Sequence, residues 1–557
     1  MTMTHTRLRV ATLLLGIGAC NSVLAEPRSP ILGDPTQTLP SIAPARPPES
    51  RVTVQVERPD SALQNLLSSK LTPQRFQIEG VKAIPFAQIA AKFAPLAGKE
   101  ITVGQLLEVA NEVTQMYQQR GYPLSFAFVP TQSFENGNVL VTVVEGHVST
   151  ITIRGEAGPA EGRLRAIAEQ LMQDHPLRRE TFEHYVNVLA LQPGVQVAAT
   201  VQPPQTTDGA CEMVLEVKRK PFTFGMGLDY KSPSVRGIFT ATTNSLTPLG
   251  EQISVSALAP RGPDHEEYYI ASYGQPIGTE GMMARLSASH YRGVPQNGAL
   301  AQIGFDTRYV NDTKRLGGTL SYPVILNNAH SLTATGGLYA NDQFERYTQS
   351  GTGSQIALTT HVRVLSAELA YVQRQEGQTR SATLGVYKGM NALGASRENN
   401  VNDLDFVRSR MVVSQATDLP WGFGVAVSAA GQYSGQRLAS SEQISFGGRF
   451  FGLGYPAGEV AGDKGWGASA EINRLFTPGL AYLKTVQPYV LTDMARVYSN
   501  SLSLVHRTLQ SVAIGLRFSD RRYYTLDVSV AQPVGDKPTN ASRRSPRLNA
   551  TYSYQFE

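Results

Sequence analysis

The chain has 557 residues, with 50 Lys and Arg against 45 Asp and Glu, a net charge of +5 and a mean hydropathy of −0.19. That length exceeds one ordinary core, so several domains are expected, and the scattered basic residues argue against a nucleic-acid partner. No apolar run of about eighteen residues follows the N-terminus, which excludes a transmembrane helix but not a β-barrel, whose strands are half polar.

Residues 1–25 read as a secretory signal peptide: Arg7 and Arg9 form the positive region, Val10 to Ala19 the apolar stretch, and Val23-Leu24-Ala25 a cleavage site before Glu26. Ile17-Gly18-Ala19-Cys20 offers a rival reading as a lipoprotein cleavage box, and either route exports the chain. Cleavage after Ala25 leaves Cys211 as the only cysteine, so no internal disulfide is expected. Residues 26–71 are rich in proline, among them Pro27, Pro30, Pro35, Pro40, Pro44, Pro47, Pro48 and Pro59, and read as an extended linker with a candidate short helix at Ser61–Ser69.

From about Thr72 the texture changes. Phe76–Val81 reads as a strand, and Pro85–Phe93 as a helix. Thr102–Gln119 reads as a second helix with Leu106, Leu107, Ala110, Val113 and Met116 on one face, ended by Gly121-Tyr122. Strands Leu124–Val129 and Val139–Val144 follow, closing at Glu145-Gly146. The same order then repeats: strand Val148–Arg154, helical Ala160–Gln173 and Thr181–Leu191, and strands Val195–Gln202 and Glu212–Val217. Two consecutive β-α-α-β-β units, 72–147 and 148–219, are an internal repeat and predict two small α+β domains.

Beyond Pro221 the helical period disappears. Phe222, Phe224, Met226, Leu228 and Tyr230 alternate with polar residues or glycine, and Leu548, Ala550, Tyr552, Tyr554 and Phe556 do the same at the other end. Strand candidates between them are 252–258, 267–274, 283–291, 332–338, 365–373, 381–388, 423–433, 468–475, 509–518 and 524–531. Tight turns at 247–250, 278–281, 376–378 and 419–422 alternate with long polar connections near 292–313, 342–360, 391–404, 434–465 and 532–546. Short turns on one side and long loops on the other predict an all-β transmembrane barrel over 220–557, of about sixteen antiparallel strands at about 21 residues per strand and connection. Phe224, Met226, Leu228, Tyr552 and Tyr554 are expected to face lipid and Thr551 the lumen. A soluble β-propeller is the competing fold, but no blade motif repeats.

Two such units before a barrel resemble the POTRA domains of the TpsB transporters of two-partner secretion. Tyr117-Gln118-Gln119-Arg120-Gly121-Tyr122 is similar to the helix exit of that family's first POTRA domain. Val129-Pro130-Thr131-Gln132 and Val139 to Val144 with Glu145-Gly146 are similar to its closing strands, and Thr247-Pro248-Leu249-Gly250 to its first periplasmic turn. The family's signature loop is matched by Leu453-Gly454-Tyr455, Gly458-Glu459 and Gly462-Asp463-Lys464-Gly465. The resemblance implies that this loop folds back into the lumen, where a motif arginine pairs with an aspartate of the wall motif, here Thr492-Asp493-Met494-Ala495. Leu453 occupies the arginine's place, and Arg449, four residues upstream, is the candidate stand-in. Glu557 follows Phe556, whereas an aromatic residue usually ends such chains.

No H-E-x-x-H, Walker A, G-x-S-x-G or paired-cysteine metal motif is present, so no catalytic residue, metal or cofactor is expected. The resemblance instead implies an outer-membrane pore with POTRA domains in the periplasm. These domains would catch a large unfolded exoprotein — an adhesin, haemolysin or toxin — by adding its strand to their sheet edges, and the pore would pass it to the cell surface without ATP. Other expected partners are outer-membrane lipid and, during biogenesis, the barrel-assembly machinery. A barrel-assembly insertase of the same superfamily and a passive solute channel are the alternatives.

Overall fold

The computed structural model describes residues 31–32, 67–134, 137–202, 204, 206–231, 234–294, 307–349, 353–449, 451–500, 507–539 and 541–556. The expected signal peptide and nearly all of the proline-rich segment, including most of Ser61–Ser69, lie outside them.

The first periplasmic unit comprises strand β1 (Arg75–Glu79), helices α1 (Phe86–Phe93) and α2 (Val103–Gln119), and strands β2 (Phe126–Phe128) and β3 (Asn138–Val144). Helix α2 starts at a capping box. The Thr102 hydroxyl accepts the Gln105 N–H at 3.2 Å, and the Gln105 side chain accepts the Thr102 N–H at 2.9 Å. Leu106, Ala110, Val113 and Tyr117 fall on one face and are buried against the sheet. Strand β3 is central, parallel to β1 and antiparallel to β2.

The second unit repeats the plan with β4 (His147–Gly155), α3 (Glu161–Ala168), α4 (Arg179–Ala190), β5 (Val195–Val201) and β6 (Ala210–Arg219). Strand β6 is central, parallel to β4 and antiparallel to β5. The helical stretch expected at Ala160–Gln173 changes pitch, since α3 gives way to a 3₁₀ turn at Glu169–Gln173. Backbone bonds join the two units: Arg179 N–H donates to Gly121 O at 2.7 Å and Leu177 N–H to Gly146 O at 2.9 Å.

Strands β7 (Phe222–Lys231), β8 (Ser234–Asn244), β9 (Gln252–Arg261), β10 (Glu267–Ile277), β11 (Met282–Gly293), β12 (Thr307–Leu326), β13 (His330–Gln349), β14 (Gln355–Gln375), β15 (Gln378–Gly389), β16 (Val407–Asp418) and β17 (Phe423–Ser434) form the first part of a barrel. A hairpin, β18 (Ile444–Phe446) and β19 (Val460–Gly462), interrupts the wall. Strands β20 (Lys464–Arg474), β21 (Thr485–Tyr498), β22 (Thr508–Ser519), β23 (Tyr524–Pro533) and β24 (Arg547–Phe556) complete it. Sixteen antiparallel wall strands close where β7 pairs with β24, from Phe224 opposite Phe556 to Asp229 opposite Thr551. Backbone pairing also sets Ile31–Leu32 beside β18.

Alternation sorts the faces. On β22, Val512, Ile514 and Leu516 are exposed outward while Leu509, Ser511 and Ala513 are buried inward. Phe224 and Phe556 are outward and exposed, whereas Asp229 and Ser553 are buried. The second periplasmic unit sits on the short turns. Arg163 Nη2 donates to Gly278 O at 2.7 Å, Tyr185 OH to Glu280 Oε1 at 2.8 Å, and Asn187 Nδ2 to Asn328 Oδ1 at 3.0 Å.

The sequence reading of 292–313 and 342–360 as loops is corrected in part. Strands β12, β13 and β14 run 20, 20 and 21 residues. At about 3.4 Å per residue they extend well past the 9–11 residues that a bilayer needs. The ladder continues to Thr307 opposite Gln349 and Thr348 opposite Gln355, so a paired sheet persists where the outward face has turned mostly polar, with Arg308, Asp312, Asp342 and Arg346 on it. The 391–404 connection likewise holds a short strand, Ser396–Glu398, which pairs with β14. Strands β8, β12, β16 and β21 add to those expected from alternation.

Candidate functional site

The connection from β17 to β20 does not stay outside. Its apolar residues pack on inward-facing wall residues: Leu453 with Tyr489, Leu491, Ala513 and Ala531, and Phe446, Phe451 and Tyr455 with Ala430, Ala495 and Leu509. The loop therefore lies in the lumen. At its tip, Leu453 N–H donates to Asp493 Oδ2 at 2.9 Å, Gly454 N–H to Ser511 Oγ at 3.0 Å, and Asn549 Nδ2 to Leu453 O at 3.2 Å. Tyr455 is fully buried, and its hydroxyl donates to Asp536 O at 2.8 Å. Gly454 is required by approach: a Cβ there would lie 2.7 Å from the Pro533 nitrogen.

The ascending leg is tied to the extracellular connections. Glu459 Oε1 accepts from Arg507 Nη1 at 3.0 Å and from Thr539 N and Oγ1 at 2.6 Å each. Asp463 Oδ1 accepts Leu438 N–H at 2.8 Å across the two legs, and Oδ2 accepts Asn500 N–H at 2.6 Å. Gly462 passes against the Tyr498 carbonyl, 2.6 Å from where a Cβ would stand. Gly458 turns the loop at φ +71°, and Gly465 opens β20 opposite Gln432. Arg449 lies half-buried on the descending leg.

Sequence reasoning missed the base of this leg. Glu442 stands two residues before β18 and is fully buried. It meets Arg408 of β16, whose Nη2 lies 2.8 Å from Glu442 Oε2, and Tyr339 of β13, whose hydroxyl donates to the same oxygen at 2.7 Å. Beside it, Ser440 Oγ donates to Gln343 and Glu345 at 3.1 and 3.0 Å. An inward Arg408 was recoverable from alternation, since Val407 and Met411 face outward; nothing in the local sequence marks Glu442.

The POTRA-like residues form a separate set. The buried Tyr117 hydroxyl donates to Glu145 Oε1 at 2.8 Å, and that oxygen also accepts Lys82 N–H at 2.8 Å and Ala83 N–H at 2.7 Å. One carboxylate thus ties α2 to the turn after β1. Burial, then the bond to Glu145, pushes the Tyr117 hydroxyl well above the usual phenol range, so it remains a donor. Tyr122 packs edge-on to Tyr117, and Gly121 before it has φ +88°. Gln132 copies a ladder pair with its side chain: Oε1 accepts Leu140 N–H and Nε2 donates to Leu140 O, both at 2.8 Å, while Nε2 also lies 3.4 Å from Pro130 O. Gly146 passes the Leu124 carbonyl, 2.6 Å from its would-be Cβ. These residues hold the first unit together, and no cluster of His, Cys, Asp or Glu with metal-site geometry occurs among the described residues.

Comparison with known proteins bears on the same regions. Residues 71–146 match the POTRA domain, ShlB-type, and residues 234–518 match the haemolysin secretion/activation protein ShlB/FhaC/HecB. The chain is 21% identical over 487 residues to the heme/hemopexin transporter protein HuxB of Haemophilus influenzae (strain 86-028NP), covering 80% of each chain. To the outer membrane transporter CdiB of Escherichia coli O6:K15:H31 it is 24% identical over 455 residues, covering 77% of this chain and 73% of that one. The solved structure of CdiB from Escherichia coli superposes with a TM-score of 0.67 at 18% identity, over 90% of this chain and 93% of that one. With one family model matched over more than half its length, the chain belongs to the haemolysin secretion/activation protein family ShlB/FhaC/HecB, the TpsB transporters of two-partner secretion.

Proposed function

We infer that the chain is the outer-membrane pore through which a partner exoprotein leaves the periplasm, and that its lumen loop governs passage. The observation that carries this is the combination of a POTRA-type unit, a closed sixteen-strand barrel and a loop folded into that barrel. Each periplasmic sheet has outer strands bonded to strands on one side: β1 and β2 in the first unit, β4 and β5 in the second. An extended passenger can add to such an edge through main-chain hydrogen bonds, which give affinity without a strict sequence demand. The matched family is that of haemolysin secretion/activation proteins, which favours a large secreted passenger of the adhesin, haemolysin or toxin class. Lipid contacts the outward apolar band, and the barrel-assembly machinery inserts the chain. Passage itself uses no ATP and is driven by the passenger folding outside.

Deletion of 72–219 tests recruitment: the barrel should still conduct ions, while the partner exoprotein should no longer reach the medium. Secretion that survives the deletion would overturn this reading. Transport into proteoliposomes free of nucleotide tests the energy source.

A further inference from the structure

The resemblance implies a positive charge at the loop tip and a negative one on the wall. Here the tip position is Leu453, seated in an apolar cluster, and the wall carboxylate Asp493 receives a backbone N–H. A charged contact of opposite polarity stands at the other end of the loop. Glu442 is on the loop and Arg408 on the wall, each side chain 1% exposed and 2.8 Å apart. Resting on the reading that the loop governs passage, we propose that Glu442–Arg408 is the latch that holds the lumen loop in its blocking position.

Arg408 is oriented from three sides. Its guanidinium stacks 3.9 Å over the Tyr387 ring, Nη1 donates to Gln432 Oε1 at 3.1 Å, and Nη2 donates to the Tyr339 hydroxyl at 3.1 Å. Tyr339 in turn donates its O–H to Glu442 Oε2 at 2.7 Å, so cation, phenol and carboxylate form a closed triangle. Gln432 adds a second hold on the loop, donating to the Glu442 carbonyl at 2.9 Å. The wall partners come from β13, β15, β16 and β17, a set of wall strands separate from β21–β24, which seat the tip.

A buried ion pair suits a contact that must open. Its attraction is largely offset by the desolvation of both charges, so it adds little net stability while fixing one geometry, and a displaced Glu442 regains water. Removing one partner strands the other charge in the wall and favours the displaced loop.

The test uses the full-length chain, purified from outer membranes and checked for assembly by heat-modifiable migration, with single-channel recording and secretion assays. Glu442→Gln should raise the open fraction about tenfold, the factor that corresponds to about 1.4 kcal/mol. Tyr339→Phe should raise it less, and Glu442→Gln with Arg408→Gln should be no more open than Glu442→Gln alone, because neither charge is then stranded. Deletion of 447–461 is the separate control for gating. If it opens the pore while assembled Glu442→Gln and Tyr339→Phe conduct like the parent, the latch is wrong and gating stands. If the deletion changes neither conductance nor secretion, the gating reading itself fails. Should Glu442→Gln not assemble, Tyr339→Phe decides: parental conductance refutes the latch.

Discussion

Asp493 and Glu145 are both carboxylates that accept backbone N–H groups, one at the loop tip and one in the first periplasmic unit. For Glu145 the consequence is local. Tyr117→Phe removes one donor and should cost about 1 kcal/mol, while Glu145→Ala leaves three donors without their acceptor and should cost about 2–3 kcal/mol. Pulse proteolysis in urea, read on the periplasmic region of the full chain, checks both; equal effects would mean that the backbone bonds contribute nothing. Because the Tyr117 hydroxyl has a raised pKa, its contribution is complete below the ordinary phenol value of about 10 and is lost as pH rises beyond it. For Asp493 the consequence is functional. Asp493→Asn keeps an acceptor for Leu453 N–H and should secrete better than Asp493→Ala. If Arg449 stands in for the motif arginine, Arg449→Ala should match Asp493→Ala in conductance and the double variant should be little worse than either. Parental conductance in Arg449→Ala would leave the backbone bond as the role of Asp493.

At the scale of elements, legibility followed burial. Helix α2 was readable because one of its faces is buried and its capping box is local, and β22 because a lipid-facing strand alternates. Strand β12 and the upper halves of β13 and β14 were not, because above the bilayer the outward face turns mostly polar, the lipid-facing alternation is lost, and the ladder bonds carry no residue preference. The tip of the lumen loop was visible through its glycines and Tyr455, whereas Glu442 gains meaning only from Arg408 and Tyr339, 34 and 103 residues away. The second periplasmic unit yields a prediction at this scale. Burial pushes the Cys211 thiol up to about 11, and the side chain packs in the core of β4, β6 and α4. A fragment of residues 72–219 should therefore show α+β circular dichroism and leave Cys211 unreactive to a thiol reagent until urea unfolds it. A random-coil spectrum, or immediate labelling in native buffer, would show that these units do not fold without the barrel.

The whole molecule is divided by one alternation, lipid outside and water or loop inside, and that division can be tested with a single charge. Ile514 lies mid-strand on β22, 62% exposed, between the outward Val512 and Leu516. Thr551 on β24 points the other way, opposite Asp229 in the register of the closing seam. An arginine at Ile514 must lie in hydrocarbon, at a cost of about 2–4 kcal/mol near the midplane. The same residue at Thr551 enters the lumen and not hydrocarbon, near the Asp229 carboxylate that Arg236 already holds at 2.9 Å. Ile514→Arg should thus reduce the heat-modifiable, assembled fraction in outer membranes, while Thr551→Arg should assemble as the parent does and alter only conductance. The two variants differ in position and not in chemistry, so expression or translation cannot account for a difference between them. Equal assembly would mean that Ile514 does not meet lipid, and the reverse order would mean that the faces are inverted.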